Sequence, residues 1–254
     1  MMLLLSGEGP TDLGSCTFGL ATCENESGFE IGPLTVMIDQ IIEQQLGYSL
    51  RSIPNYIRYI GKQELGIQAK AQSGGRKLRL RGPDTPSETG YFEIPARSLG
   101  QIAVDLENER GVPVVAVLFH DSDGTNTAPR LLWDIKHSSI VRGFASVPFA
   151  KGVAMIPKPK SEAWLLCAIE EPAYQHCVAL ENLPLNDSSP NSAKNRLGTA
   201  FSNPVTRQNL VHWLEDNGFQ HDAVAAQMPS YEAFLTQLRH AINIAQQPLQ
   251  ANPL

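Results

Sequence analysis

Short apolar runs mark the strands that the sequence predicts. Residues 2–5 form a continuous apolar run that ends in Gly-Glu-Gly-Pro, and residues 112–119 form a second run that is apolar on both faces. A third, shorter run covers 152–156. Continuous apolar runs of this length are typical of strands buried on both sides in a parallel sheet. We therefore expect three buried strands.

Apolar positions at helical spacing predict the helices. Residues 34–46 have this spacing and stop before Gly47, and a second helix could open at Pro95 and close at Gly111. A third follows Ser161, a favourable N-cap residue. We expect helices over 34–46, 95–110 and 161–170, and near 207–217 and 231–246.

This order of elements predicts an α/β fold with a mostly parallel sheet, flanking helices and a C-terminal helical cap. The expected organisation is an α/β domain over 1–171, with a basic excursion at about 63–90 read as a hairpin or loop, then the cap and a tail. The cap would cover 172–246 and the tail 247–254.

Composition and charge limit which functions and cellular locations are expected for this chain. The chain has 254 residues and a net charge of -6, which disfavours a constitutive, histone-like grip on nucleic acid but leaves room for a local basic groove. No stretch approaches about 18 consecutive apolar residues, so no membrane span is expected. The four cysteines lack zinc-site spacing, and we expect reduced thiols in a cytoplasmic protein.

Three polar clusters follow the predicted strands. Glu8 and Asp12 follow the first, among glycines that allow close approach of a ligand; an exposed turn is the alternative. Asp121 and Asp123 follow the second, and alternate carboxylates suit a hard cation; an Asx-turn is the alternative. The twelfth position of an EF-hand loop here would be Leu132, which excludes that motif.

The third cluster lies at the start of a predicted helix, where an anion would be favoured. It contains Lys158, Lys160 and Glu162, and a solvated turn is its alternative. Because ligands bind beyond the carboxyl ends of parallel strands, we expect the three clusters to converge. Together they could hold one or two divalent metals, Mg²⁺ or Mn²⁺, against a phosphodiester, with a lysine neutralising developing charge.

A basic stretch and a histidine add to this picture. The stretch has no acid within it and would track the phosphates of a nucleic acid, with a solvated loop as the alternative. His120 adjoins the aspartate pair and could act as a base or orient water, although a structural role is commoner at such a position. The basic side chains are Lys70, Arg76, Lys77, Arg79 and Arg81.

These motifs resemble the Toprim family, through Gly-Glu-Gly-Pro-Thr-Asp after the first strand and His-Asp-Ser-Asp-Gly after the second. The resemblance implies that Glu8 is the motif glutamate, that Asp121 and Asp123 are the paired aspartates, and that Asp12 joins the metal site as in the OLD-like nuclease branch. That branch more often has Glu at the position of Asp12.

The segment Lys-Pro-Lys-Ser-Glu-Ala-Trp-Leu-Leu is similar to one in small stand-alone Toprim-like proteins found with an ATPase partner in bacterial phage defence. By that resemblance Glu162 is a further metal ligand or base, and Lys158 or Lys160 is the electrophilic lysine. The expected function is a metal-dependent nuclease with an ATPase subunit as a possible partner.

Two other functions remain open. Apolar strand–Asp-x-Asp-Gly-Thr also resembles haloacid-dehalogenase-type phosphatases, in which Asp121 would be the nucleophile and Asp123 the general acid/base. That motif normally lies near the start of its domain, and Glu8 would then be unexplained. The other alternative is a Toprim-like scaffold that binds an ATPase or a nucleic acid without chemistry.

Overall fold

The computed structural model describes residues 1–72, 90–122 and 132–247. In these ranges a five-stranded sheet has the order β3-β5-β1-β6-β7, and a two-stranded sheet joins β2 to β4. The strands are β1 (Met2–Gly7), β2 (Gly14–Cys16), β3 (Thr22–Glu24), β4 (Phe29–Ile31), β5 (Ile57–Gly61), β6 (Val114–Phe119) and β7 (Gly152–Met155).

Strand β1 is the centre of the large sheet and pairs in parallel with β5 on one side and β6 on the other. Strand β7 continues the parallel arrangement next to β6, and β3 is an antiparallel edge beside β5. The predicted α/β fold with a mostly parallel sheet is therefore confirmed. The carboxyl ends of four strands lie along one edge of this sheet.

Helices cover both faces of the sheet. The C-terminal helices follow the α/β part along the chain, and the division into a domain and a cap at residues 171 and 172 stays a prediction. The helices are α1 (Pro33–Leu46), α2 (Lys62–Gln72), α3 (Gly90–Arg110), α4 (Leu132–Ala145), α5 (Ser161–Ile169), α6 (Ala193–Ala200), α7 (Arg207–Asn217), α8 (His221–Ala225) and α9 (Pro229–Ala245).

Alternation along the strands divides the interior into two cores. Leu3 and Leu5 face a core that includes α1, α5 and α9, whereas Met2 and Leu4 face a core that includes α3 and α4. All four side chains are buried, which explains the unbroken apolar run of β1. The first core joins residues from both sides of residue 171, and the proposed domain boundary there stays a prediction.

Several elements differ from the sequence-based expectations. The excursion expected from residue 63 begins as helix α2, so the described part is not a hairpin or loop; residues 73–89 lie outside the described residues. Pro95 lies inside α3, which starts at Gly90. Ser161 is the first residue of α5 with Lys160 as N-cap, because the Ser161 hydroxyl bonds to Asp12 rather than to its own helix.

The expectation of reduced cysteines was wrong. Cys16 forms a disulfide with Cys23, seven residues away, and Cys167 forms one with Cys177, ten residues away. The four cysteines lack the spacing of a zinc site, but this lack does not exclude disulfide pairing across short loops. Within the described ranges, no helix has both the length and the apolar character needed to cross a membrane.

Candidate functional site

Polar side chains from all four parallel strands meet at the carboxyl edge of the sheet. In sheet order, Lys62 follows β5, Glu8 follows β1 and Asp121 lies two residues beyond β6. Ser161 opens α5, the element after β7. We call these four residues, with Asp12 and Glu162, the strand-end site.

Glu8 and Lys62 face each other because their strands are in register. Gly7 pairs with Gly61, and each next residue carries the charge. Lys62 Nζ lies 3.0 Å from Glu8 Oε2, and His120 Nδ1 lies 3.3 Å from Glu8 Oε1. Burial alone would raise the pKa of Glu8, but the adjacent His120 and Lys62 outweigh it and lower the pKa to about 2.

Asp121 connects the ends of β1 and β7. Its backbone N–H donates to Glu8 Oε1 at 3.1 Å, and its Oδ1 accepts from the Ser161 N–H at 3.0 Å. The loops that follow β6 and β7 are also joined directly, because the Ser122 N–H donates to the Pro157 carbonyl at 3.1 Å. Asp121 is thus held on one side by its own N–H, which donates to Glu8, and on the other by its carboxylate, which accepts from the Ser161 N–H.

Asp12 is an acid whose ionised form is disfavoured by its surroundings. It accepts hydrogen bonds from Ser161 Oγ and, at 3.2 Å, from Thr11 Oγ1. Burial, followed by the negative charges of Glu162 and Glu8, raises its pKa to about 6 despite these bonds. Three carboxylates therefore influence one another at this edge.

Gly9 makes room for this arrangement. It has φ of +80°, and a Cβ at this position would clash with Asp12 Oδ2. The sequence suggested that the glycines around Glu8 allow a ligand to approach. In the structure the space beside Gly9 is taken by the carboxylate of Asp12, which the glycine lets fold back toward Ser161.

The remaining predicted residues occupy different places. Glu162 lies in the first turn of α5, close enough for its charge to act on Asp12. Lys160 Nζ lies 2.8 Å from Asp187 Oδ1, and Lys158 is partly exposed in the loop before α5. Asp123 lies outside the described residues.

Only one residue of the predicted basic stretch can be placed. Lys70 lies in the last turn of α2, the helix that begins at Lys62 of the strand-end site. The other four basic residues lie outside the described ranges, so their role stays a prediction: Arg76, Lys77, Arg79 and Arg81.

Two members of the site were missed or misread in the sequence. Lys62 follows an apolar strand and a glycine, the same pattern that pointed to Glu8, but Arg58 interrupts the strand's apolar run. Ser161 was interpreted as a helix cap, and its bond to Asp12 spans 149 residues. The first had a usable signal, whereas the second depends on tertiary structure alone.

The donor atoms suit a hard cation, although they are not gathered as ligands. Carboxylate oxygens are the groups that Mg²⁺ and Mn²⁺ prefer. Among residues 1–72, 90–122 and 132–247, no group of three His, Cys, Asp or Glu side chains is arranged to hold a metal. In this arrangement the carboxylates instead accept hydrogen bonds from Lys62, Ser161 and the Asp121 backbone.

Comparisons with protein-family models, curated proteins and solved structures found no match to this chain. The resemblance to Toprim proteins therefore stays a prediction based on short motifs.

Proposed function

We propose that this protein is a metal-dependent phosphodiesterase that acts on nucleic acid, with the strand-end site as its catalytic centre. The observation that carries the proposal is the hydrogen-bonded series from Glu8 through Asp121 and Ser161 to Asp12, which joins three parallel strand ends. Acids at this edge of a parallel sheet occupy the place where α/β proteins bind ligands.

The negative charge around Asp12 is what favours a divalent cation at this site. The raised pKa of Asp12 reports that burial and the neighbouring carboxylates of Glu162 and Glu8 disfavour its ionised form. A bound cation would remove that penalty. Glu8, Asp12 and Asp121 would hold Mg²⁺ or Mn²⁺, joined by Asp123 and Glu162 as the sequence motifs predict.

When bound, such an ion would polarise the phosphoryl group and lower the pKa of a coordinated water. The side chains of the protein would supply the remaining functions, which are charge compensation and orientation of the carboxylates. Lys62 places positive charge next to Glu8, in the position from which it can offset charge developing on the phosphate. The Ser161 hydroxyl and N–H orient Asp12 and Asp121, so that both carboxylates keep a fixed direction.

Lys62 takes the electrophilic role more readily than Lys160. Lys160 is only 14% exposed and is paired with Asp187. Lys62 lies at the strand end itself, with its Nζ on Glu8. We therefore propose Lys62 as the lysine that the sequence analysis sought at Lys158 or Lys160.

The disulfides bear on location. The expectation of reduced thiols followed from that of a cytoplasmic protein, and the pairing of Cys16 with Cys23 and of Cys167 with Cys177 does not agree with it. Disulfides persist mainly in oxidising environments. Mass spectrometry after alkylation of the protein from its native source would report its thiol state directly.

The proposal is tested by incubating labelled single-stranded DNA, duplex DNA and structured RNA with the protein in Mg²⁺, Mn²⁺ or EDTA. The variant is Asp121→Asn, which keeps an oxygen to accept the Ser161 N–H, and the control is Asp216→Asn on the exposed end of α7. We expect metal-dependent cleavage that falls about 100-fold or more in Asp121→Asn and is unchanged in the control.

Four outcomes would contradict the proposal. Equal cleavage in EDTA would show that no metal is needed. Equal cleavage by Asp121→Asn would show that the strand-end site is not the catalytic centre. Binding of nucleic acid without cleavage in any metal would favour the non-catalytic scaffold. Hydrolysis of p-nitrophenyl phosphate without cleavage of nucleic acid would favour a phosphatase.

A further inference from the structure

A loop closed by the Cys16–Cys23 disulfide presents an aromatic ring to solvent. Phe18 is 96% exposed, the largest exposed fraction among the large apolar side chains in the described part of the chain. Large aromatic side chains normally bury much of their surface, since burial is their main contribution to stability. The ring of Phe18 contributes nothing of that kind to the fold.

The backbone of this loop is held in place at several points. Besides the disulfide, the Thr17 N–H donates to the Gly28 carbonyl at 2.7 Å, and the Leu20 N–H donates to the Thr17 carbonyl at 3.1 Å. Phe18 has φ of +55°, a conformation that a bulky residue adopts only when its surroundings impose it. The ring is therefore presented on a restrained backbone, which lowers the entropy cost of a contact.

The loop lies at the same edge of the sheet as the strand-end site. Strand β3 runs antiparallel to β5, so the residues before β3 lie at the carboxyl end of β5. The Gly61 N–H donates to the Ala21 carbonyl at 2.9 Å. The residue after Gly61 is Lys62, whose Nζ is 3.0 Å from Glu8. The backbone hydrogen bond between Gly61 and Ala21 thus links the loop to the strand end that carries Lys62.

The chemistry of the loop indicates what it contacts. Residues 17–22 are Thr-Phe-Gly-Leu-Ala-Thr, with no charged side chain. A contact there depends on apolar area and on the face of the ring, since no ion pair is available. Bases of single-stranded nucleic acid stack on such rings, and each stack contributes about 1–3 kcal/mol regardless of sequence. Bases within a duplex are already stacked on each other and offer no free face.

We propose that Phe18 is a positioning residue that stacks on an unpaired base and so directs a neighbouring phosphodiester to the strand-end site. The inference rests on the proposed function and names its substrate class: nucleic acid with at least one unpaired base. In sheet order, Lys62 after β5 lies between the loop before β3 and Glu8 after β1, so its positive charge is next to both.

The test compares wild type with Phe18→Ala, Phe18→Leu and Phe18→Trp. Val178→Ala is the matched control, because Val178 is also an exposed apolar residue, at 56%, but lies in the 3₁₀ helix Cys177–Asn182. Affinity for fluorescent oligothymidine and for a blunt duplex is measured by anisotropy in Ca²⁺, and KM and kcat for cleavage are measured in Mn²⁺. Thermal midpoints check that each variant is folded.

We expect Phe18→Ala and Phe18→Leu to weaken oligothymidine binding by about 5-fold to 100-fold, while Phe18→Trp retains it. KM rises with kcat little changed, and neither duplex binding nor the control is affected. The inference is overturned if Phe18→Ala binds oligothymidine within twofold of wild type. It is also overturned if Phe18→Leu matches wild type, since apolar contact without stacking would favour a protein partner.

The failure of this inference differs from failure of the proposed function. If wild type cleaves nucleic acid in Mn²⁺ and Phe18→Ala does so with the same KM, the function stands and the stacking role is wrong. If wild type neither binds nor cleaves any nucleic acid in any metal, the function is wrong and the stacking role is overturned with it.

Discussion

Replacing Asp12 with asparagine should stabilise the metal-free protein at alkaline pH. The carboxylate is disfavoured by burial and by Glu162 and Glu8, which raise its pKa from 3.8 to about 6. The folded state therefore binds a proton more tightly than the unfolded state, and stability falls as pH rises from about 4 to 6. Asp12→Asn removes this penalty and keeps an oxygen to accept the Ser161 hydroxyl.

The size of the effect follows from the two pKa values. Each pKa unit corresponds to about 1.4 kcal/mol, so the full penalty is about 3 kcal/mol above pH 6. Asp12 is partly exposed, and solvent screening reduces this to roughly 1–3 kcal/mol. For a chain of this length, that corresponds to a rise of about 2–12 °C in the thermal midpoint.

Differential scanning fluorimetry in EDTA at pH 8 and at pH 4 measures this difference. We expect Asp12→Asn to melt above wild type at pH 8 and close to it at pH 4, where Asp12 is protonated. Asp216→Asn, an exposed control, should match wild type at both pH values. A variant that melts at or below wild type at pH 8 would refute the claim that Asp12 carries uncompensated charge.

The same variant should lose most of its response to Mn²⁺. An ion present at 100 times its Kd stabilises the folded state by about 2.7 kcal/mol. Because Asp12 is both a proposed ligand and the acid that titrates near pH 6, stabilisation of wild type by Mn²⁺ should grow between pH 5 and pH 7. Equal stabilisation of Asp12→Asn and wild type would exclude Asp12 as a ligand.

Three further predictions follow from named contacts. Ser161→Ala removes a hydrogen bond that lowers the pKa of Asp12, so the midpoint of the pH dependence should move upward, as measured by Mn²⁺-induced melting shifts against pH. Glu8 has a pKa lowered to about 2, so its contribution to stability is present above pH 4.5 and lost as pH falls toward 2; Glu8→Gln should flatten that acid limb in urea unfolding. Replacing Cys167 and Cys177 together with serine should cost about 2–3 kcal/mol in the same assay, and no loss would refute their pairing.

The parts of the fold that the sequence predicted well are those with an uninterrupted signal. Residues 2–5 and 112–119 are buried on both faces of the sheet, and their apolar runs show it. Strand β5 was missed because Arg58 lies in its middle, where it pairs with Glu24 on the edge strand. The ion pair with Glu24 is what allows a charged residue in this strand. The local sequence pattern around Arg58 does not reveal that partner.

In the candidate site, too, some residues could be placed from the sequence and others could not. Glu8 follows β1 directly and Asp121 lies two residues beyond β6, so their placement at one edge follows from the geometry of parallel sheets. The environment of Asp12 depends on Ser161 and Glu162, about 150 residues away. The disulfides were missed for a related reason, since the pairing of cysteines depends on which strands and turns bring them together.

The most direct test of the central claim is the initial rate of nucleic-acid cleavage by wild type, Glu8→Gln and Glu43→Gln in Mn²⁺. Glu43 is an exposed glutamate in the last turn of α1 and serves as the matched control. The account predicts that EDTA abolishes cleavage, that Glu8→Gln is at least about 100-fold slower, and that Glu43→Gln equals wild type. A folded Glu8→Gln that cleaves at the wild-type rate would contradict it.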